Sequence, residues 1–138
     1  PLNLLIMSAR ILIVEDEMLV ALELQSILRD LGYETVGIAP DLPTARGYFG
    51  QDIDLALVDL NLRDGLTGPE IGSTLGAKGV TVLFVTANPR LLGNGIAGAV
   101  GVITKPTDED MVCSAVAYAL AVREGQPAKA PPYLRLFG

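Results

Sequence analysis

A chain of 138 residues, half of them hydrophobic, fits one domain of common size with a real core; with only 5% aromatic residues, Leu, Val, Ile and Ala must fill it. A net charge of −6 without histidine excludes the basic patch of a nucleic-acid binder and disfavours an anionic membrane surface as partner. The one cysteine, Cys113, rules out an internal disulfide or cysteine metal cluster. In its alanine-rich segment it reads as a buried, inert thiol, consistent with a cytoplasmic setting, and no apolar run reaches the length of a membrane span.

Residues 1–6 are apolar but lack a basic region and a cleavage site, so they are no signal peptide. Met7-Ser8-Ala9-Arg10 reads as a natural start, which makes residues 1–6 an upstream extension or expression remnant; the domain is expected to begin at residue 10, after an N-terminal extension of residues 1–9. Residues 10–14 form a first buried strand that ends in Glu15-Asp16-Glu17. A helix follows, with Leu19, Leu22, Ile27, Leu28 and Leu31 on one side and Gly32 closing it. Residues 34–39 are the second strand, and Asp41 caps a short helix with Pro43 in its first turn.

Residues 53–58 form the third strand and lead into Asp59; a glycine-punctuated loop and a helix opening at Gly68-Pro69-Glu70 come next. Residues 80–85 make the fourth strand, ending at Thr86. A fourth helix is expected within residues 88–99, short or distorted, because Gly93, Gly95 and Gly98 each cost about 1 kcal/mol against alanine. Residues 100–103 are the fifth strand, ending at Thr104-Lys105-Pro106; Thr107 caps a last helix whose broad apolar surface runs from Met111 to Val122. The tail, residues 125–138, turns from proline-rich to apolar, and Tyr133, Leu134, Leu136 and Phe137 are expected to dock on the domain rather than stand exposed together.

Strands alternating with helices imply a doubly wound parallel α/β sheet with right-handed crossovers, and five of each suit the flavodoxin-like order 2-1-3-4-5. Four strand ends carry polar groups: Glu15-Asp16, Asp59, Thr86 and Lys105. Strands one and three are neighbours at the switch point of that order, so Asp16 and Asp59 converge there. Crowded carboxylates call for a raised pKa or a bound cation, and hard oxygen ligands with room for water suit Mg²⁺. With the ammonium of Lys105 and the hydroxyl of Thr86, the cluster suits a phosphoryl group that Asp59 could accept.

The fragments Ile13-Val14-Glu15-Asp16, Val58-Asp59 with Gly65, Val85-Thr86-Ala87 and Thr104-Lys105-Pro106 resemble, in order and separation, the receiver domain of two-component response regulators (CheY-like) over residues 10–124. That resemblance implies Asp59 as the phosphorylated residue, and Asp16, the more remote Glu15 and the Asn61 backbone carbonyl as Mg²⁺ ligands. It also implies Thr86 as the switch hydroxyl, Lys105 as the phosphate-pairing lysine and a cis bond before Pro106. The position where the family usually carries an aromatic switch residue is Val102, so no such residue is assigned here.

The expected function is a phosphorylation-dependent signalling switch that catalyses only its own phosphorylation and dephosphorylation. A sensor histidine kinase or histidine phosphotransfer protein supplies the phosphoryl group. Output passes to a downstream protein by contact, with no output domain on the chain. The face of the fourth helix, fifth strand and last helix is the expected surface for partners or for a homodimer.

Each fragment alone has a blander reading. A single Asp after a strand is more often a cap, Glu17 reads as a helix-dipole partner, and Asp64 reads as a turn residue. Three rival readings are a degenerate receiver that only binds, the receiver fragment of a longer regulator, and a phosphatase with an aspartyl-phosphate intermediate. The phosphatase would want a second carboxylate two positions after the nucleophile, where this chain has Asn61.

Overall fold

The computed structural model describes residues 8–138; residues 1–7 of the extension read above lie outside the described residues. A single sheet runs β2-β1-β3-β4-β5-β6. Its strands are β1 Arg10–Val14, β2 Glu34–Ala39, β3 Leu55–Val58, β4 Thr81–Thr86, β5 Ala99–Thr104 and β6 Arg135–Leu136. The first five are parallel in the expected 2-1-3-4-5 order, and β6 is antiparallel to β5. Helices α1 Met18–Asp30, α2 Leu42–Arg46, α3 Gly68–Ala77 and α4 Glu109–Arg123 complete the chain with a 3-10 helix, Pro89–Leu92. Among the described residues, no helix is long and apolar enough to cross a membrane.

Alternate residues of the central strands face opposite layers, as the twofold period of a strand requires. Ile11, Ile13, Leu55, Leu57, Leu83 and Ile103 pack under α1 and α4. Leu12, Val14, Ala56, Val58, Val82, Phe84 and Val102 pack on the other side with Ile71 and Leu75 of α3. Both faces of the sheet are therefore buried, which is why its central strands read as continuous apolar runs.

Several expectations are corrected. The core face of α1 is Ala21, Leu24, Ile27 and Leu28; Leu19 is 84% exposed and Leu22 47%. The small Ala21 lets the helix approach the sheet, and the large leucines at 19 and 22 fall on its flank. The helix expected within residues 88–99 shrinks to the four residues Pro89–Leu92. Gly93, Gly95 and Gly98 all take positive φ, a backbone that ends helical hydrogen bonding instead of continuing it.

The cap of α4 is Asp108, whose carboxylate accepts the Met111 N–H at 2.8 Å, and not Thr107. Asp41 does cap α2, accepting from Thr44 N–H at 2.9 Å. Val122 is 43% exposed at the outer side of α4, and Cys113 is half-buried instead of buried. The tail returns to the sheet: Leu134 is buried in the α1/α4 layer, and residues 135–136 pair with Val102 and Gly101.

Candidate functional site

Register brings the acidic groups together. Val14 of β1 lies beside Val58 of β3, so the next residues, Glu15 and Asp59, emerge side by side. The Asp59 N–H donates to Val14 C=O at 2.9 Å and the Glu15 N–H to Ala39 C=O at 3.0 Å, so both residues leave the sheet with their backbones still paired. On the other flank Thr86 lies beside Thr104, and the Lys105 N–H donates to Thr86 C=O at 2.9 Å. The Lys105–Pro106 peptide is cis, as the receiver resemblance implies.

Lys105 reaches across these ends. Its Nζ donates to Asp59 Oδ2 at 2.7 Å and to Glu15 Oε1 at 2.5 Å. Asp59 and Glu15 are buried and Thr86 is fully buried, while Asp16 and Asn61 are exposed. Asp59 Oδ1 accepts the Leu60 N–H at 2.7 Å, Glu15 Oε2 accepts the Glu17 N–H at 3.1 Å, and Thr86 Oγ1 accepts the Asn88 N–H at 3.1 Å. Burial pushes the Glu15 carboxyl up, against the opposing pull of its bond to Lys105. Burial alone would lower Lys105, but its bonds to Asp59 and Glu15 outweigh that and hold the ammonium above its ordinary value.

Glu15, Asp16 and Asp59 each offer a carboxylate oxygen, and these oxygens lie within 4.8 Å of one another. Two buried carboxylates and one exposed carboxylate, all hard oxygen donors open to water on one side, fit a divalent cation of the Mg²⁺ type. Thr86, Lys105, Glu15, Asp16 and Asp59 are thus gathered at one end of the sheet. Asn61 lies two residues beyond Asp59 in the loop that follows.

The sequence reading missed how that loop is held. Arg63 pairs with the Asp41 carboxylate, and its N–H donates to Pro40 C=O at 3.0 Å. Asp64 accepts from the Thr67 hydroxyl at 2.6 Å and from the Leu42 N–H at 3.1 Å. Hydrogen bonds from Thr44, with the Arg63 guanidinium beyond them, hold the Asp41 carboxyl down to about 2. Gly68 was also missed as a site residue: a Cβ there would stand 2.0 Å from the Asp59 carbonyl oxygen. Glycine directly before proline at a helix start was the available signal.

With this geometry in hand, comparison with known proteins is direct. The family model of the response regulator receiver domain matches residues 11–117. The chain belongs to that family. It is 31% identical to the phyllosphere-induced regulator PhyR of Methylorubrum extorquens over 118 residues, covering 83% of this chain and 44% of that protein. The crystal structure of the response regulator PhyR from Brucella abortus superposes with a TM-score of 0.75 at 31% identity, covering 86% of this chain and 50% of that one.

The receiver domain of PhyR from Erythrobacter litoralis, solved in solution, gives a TM-score of 0.74 at 30% identity, covering 90% of this chain and 96% of that one. The chain therefore spans about half the length of the two PhyR regulators, and 96% of the Erythrobacter litoralis receiver domain.

Proposed function

We propose that the chain is a phosphorylation-dependent signalling switch that accepts a phosphoryl group on Asp59. The observation that carries this reading is the Lys105 ammonium seated between Asp59 and Glu15, at 2.7 and 2.5 Å, with Asp16 beside them. An Asp59 oxygen attacks the phosphorus of a phosphohistidine on a sensor histidine kinase or histidine phosphotransfer protein. The new P–O bond makes an acyl phosphate; the P–N bond breaks and its electron pair returns to the imidazole, which takes up a proton.

Glu15, Asp16, Asp59 and the Asn61 carbonyl would hold Mg²⁺, which when bound supplies positive charge for the phosphoryl oxygens. Lys105 exchanges its bond to Asp59 Oδ2 for one to a transferred oxygen, adding its charge at the same place. Thr86 already accepts a hydrogen bond from Asn88, so its own O–H remains to donate to the phosphoryl group. Water attack on the acyl phosphate returns the resting carboxylate, so self-dephosphorylation is the only other chemistry the site needs.

Output passes by protein contact. The Bartonella quintana PhyR is described as an anti-anti-sigma factor, and only this mode of action, one protein acting on another, is carried over here. Intact-mass spectrometry after incubation with Mg²⁺ and acetyl phosphate tests the reading. One added phosphoryl group, absent in Asp59→Asn and absent without Mg²⁺, is expected. No adduct from acetyl phosphate, and none from a panel of phosphorylated histidine kinases, would instead leave a receiver that only binds.

A further inference from the structure

Three carboxylates are buried among the described residues: Glu15, Asp59 and Asp41. The first two belong to the acidic cluster. Asp41 lies just past the end of β2 and enters none of the chemistry above. What it holds is the loop that follows Asp59.

Residues 39–41 are the anchor of that loop. The Ala39 carbonyl accepts the Glu15 N–H at 3.0 Å, and the Pro40 carbonyl accepts the Arg63 N–H at 3.0 Å. The Asp41 carboxylate caps α2 with one oxygen, through Thr44, and takes the Arg63 guanidinium with the other. Asp64 closes the same junction from the loop side, accepting the Leu42 N–H at 3.1 Å. The end of β1 and the loop after β3 are thus tied to one three-residue stretch, by a path that does not run through the β1–β3 ladder.

The loop so held presents one carbonyl. Leu62 and Gly65 exchange hydrogen bonds at 2.8 and 3.0 Å, closing a tight turn in which Gly65 takes φ of +107°. A peptide unit is planar and trans, so its N–H and C=O point in opposite directions. The Leu62 N–H aims into the turn, and the Asn61 carbonyl of the same peptide therefore aims out of it. The carbonyls on either side are occupied, Leu60 by the Gly68 N–H and Leu62 by the Gly65 N–H, whereas the Asn61 carbonyl accepts no hydrogen bond among the described residues.

We propose that Asp41 and Arg63 are positioning residues for the cation: their ion pair sets the Asn61 carbonyl against Glu15 and Asp16, and Mg²⁺ binding in turn tightens the junction of β2 with α2. This rests on the role in holding Mg²⁺ given to Asn61 above. Neither side chain is a ligand, since Asp41 is engaged by Thr44 and Arg63. A coupling of this kind is reciprocal. Its sign also separates it from charge. Arg63 puts positive charge on the loop that carries Asn61, so deleting it would by charge alone strengthen Mg²⁺ binding. Loss of position weakens it.

The test is an amide NMR titration of the full chain with Mg²⁺, without phosphodonor. In the wild type the Leu62 amide, which shares its peptide with the Asn61 carbonyl, shifts together with Asp16 and Asp59. Arg63→Ala is expected to weaken Mg²⁺ binding about ten-fold, the low end of what disturbing the support of a metal ligand costs. Arg63→Met repeats the loss should Arg63→Ala fold poorly, and Arg63→Lys, which still pairs with Asp41, recovers part of it. Asp41→Asn keeps an acceptor for the cap, and combining it with Arg63→Ala loses no more than Arg63→Ala alone. Charge alone would return that double variant to wild-type affinity. Saturating Mg²⁺ slows hydrogen exchange at the Leu42 amide in the wild type and not in Arg63→Ala. Unchanged or tighter binding by Arg63→Ala would overturn the proposal and leave the cation site standing. A wild type in which Asp16 and Asp59 respond and Leu62 does not would overturn it as well, by removing Asn61 from the ligands. No response to Mg²⁺ anywhere in the wild type would overturn the reading beneath, and the proposal with it.

Discussion

Gly68 stands against Asp59 with no room for a side chain: a Cβ on the glycine would lie 2.0 Å from the Asp59 carbonyl oxygen and 2.6 Å from Leu60 Cα. The first residue of α3 is thereby pressed onto the backbone that carries the Asp59 carboxylate, and the Gly68 N–H donates to Leu60 C=O at 3.0 Å. Both contacts are with main chain, which cannot swing aside as a flexible side chain would. Gly68→Ala is expected to cost about 2–3 kcal/mol, the scale of an overpacked core. It should also lower the rate of phosphoryl acceptance, because the shift falls on Asp59 itself. Urea unfolding beside an acetyl phosphate time course checks both.

Among the described residues, Lys105 is the one cation touching two buried carboxylates, Asp59 and Glu15. Lys105→Met keeps the stem and deletes the charge, leaving both carboxylates to repel each other. A loss of about 2–4 kcal/mol is expected without divalent cation, since removing one partner strands buried charge. Mg²⁺ should then raise the melting temperature of the variant by more than it raises that of the wild type. Equal Mg²⁺ shifts in a calorimeter would contradict the arrangement described.

The Asp41 carboxyl is held down to about 2 from 3.8, first by its hydrogen bonds from Thr44 and then by Arg63. A depressed carboxyl adds stability above its unfolded value, and that stability disappears as pH falls through the folded value. Asp41→Asn keeps a cap acceptor without the charge. Its deficit in urea midpoint against wild type should therefore be full above pH 3.8 and close progressively as the pH falls toward about 2. A deficit that does not change over that interval would place the effect elsewhere.

Phe84 is fully buried, with its ring over the space that Gly72 leaves open on α3. Phe84→Ala is expected to cost about 3–5 kcal/mol as a core truncation. Because the same ring supports Phe137, whose N–H donates to Val100 C=O, hydrogen exchange at Phe137 and Val102 should rise by more than global destabilisation alone predicts. Gly72→Ala tests the other side of that ring: its Cβ would sit 2.5 Å from Phe84 Cζ. The exchange rates of those two amides should move in the same direction.

The acidic site was legible in the sequence because each of its members ends an apolar run, and in a parallel sheet such ends converge. Residues 10–14 coincide with β1 as found; the alternation of elements carried the parallel sheet, and the flavodoxin-like pattern that suits five strands carried their order. The α1 face was misread because Leu19 and Leu22 outweigh Ala21 in any hydrophobic pattern, although the small residue is the one that lets the helix close on the sheet. Gly68 and Arg63 escaped notice because their partners, the Asp59 main chain and Asp41, are set by tertiary placement. The strand at 135–136 is too short to show any period, and it exists only because β5 offers an edge.

The pairing of Val14 with Val58, one step before the two carboxylates, carries a consequence for how this sequence can change. A strand alternates faces at every residue, so deleting or inserting one residue in β1 or β3 turns the terminal carboxylate toward the opposite layer and carries the rest of the strand with it. Length variation in those strands would scramble core and chemistry together. Residues 125–132 lie outside every strand ladder, and between the bonds that Gln126 and Pro131 make to Ala121 and Leu134 length is freer to drift. The parts of the chain that can tolerate insertion are thus set by which backbones are counted against a neighbour, and the acidic centre is the place where the count is strictest.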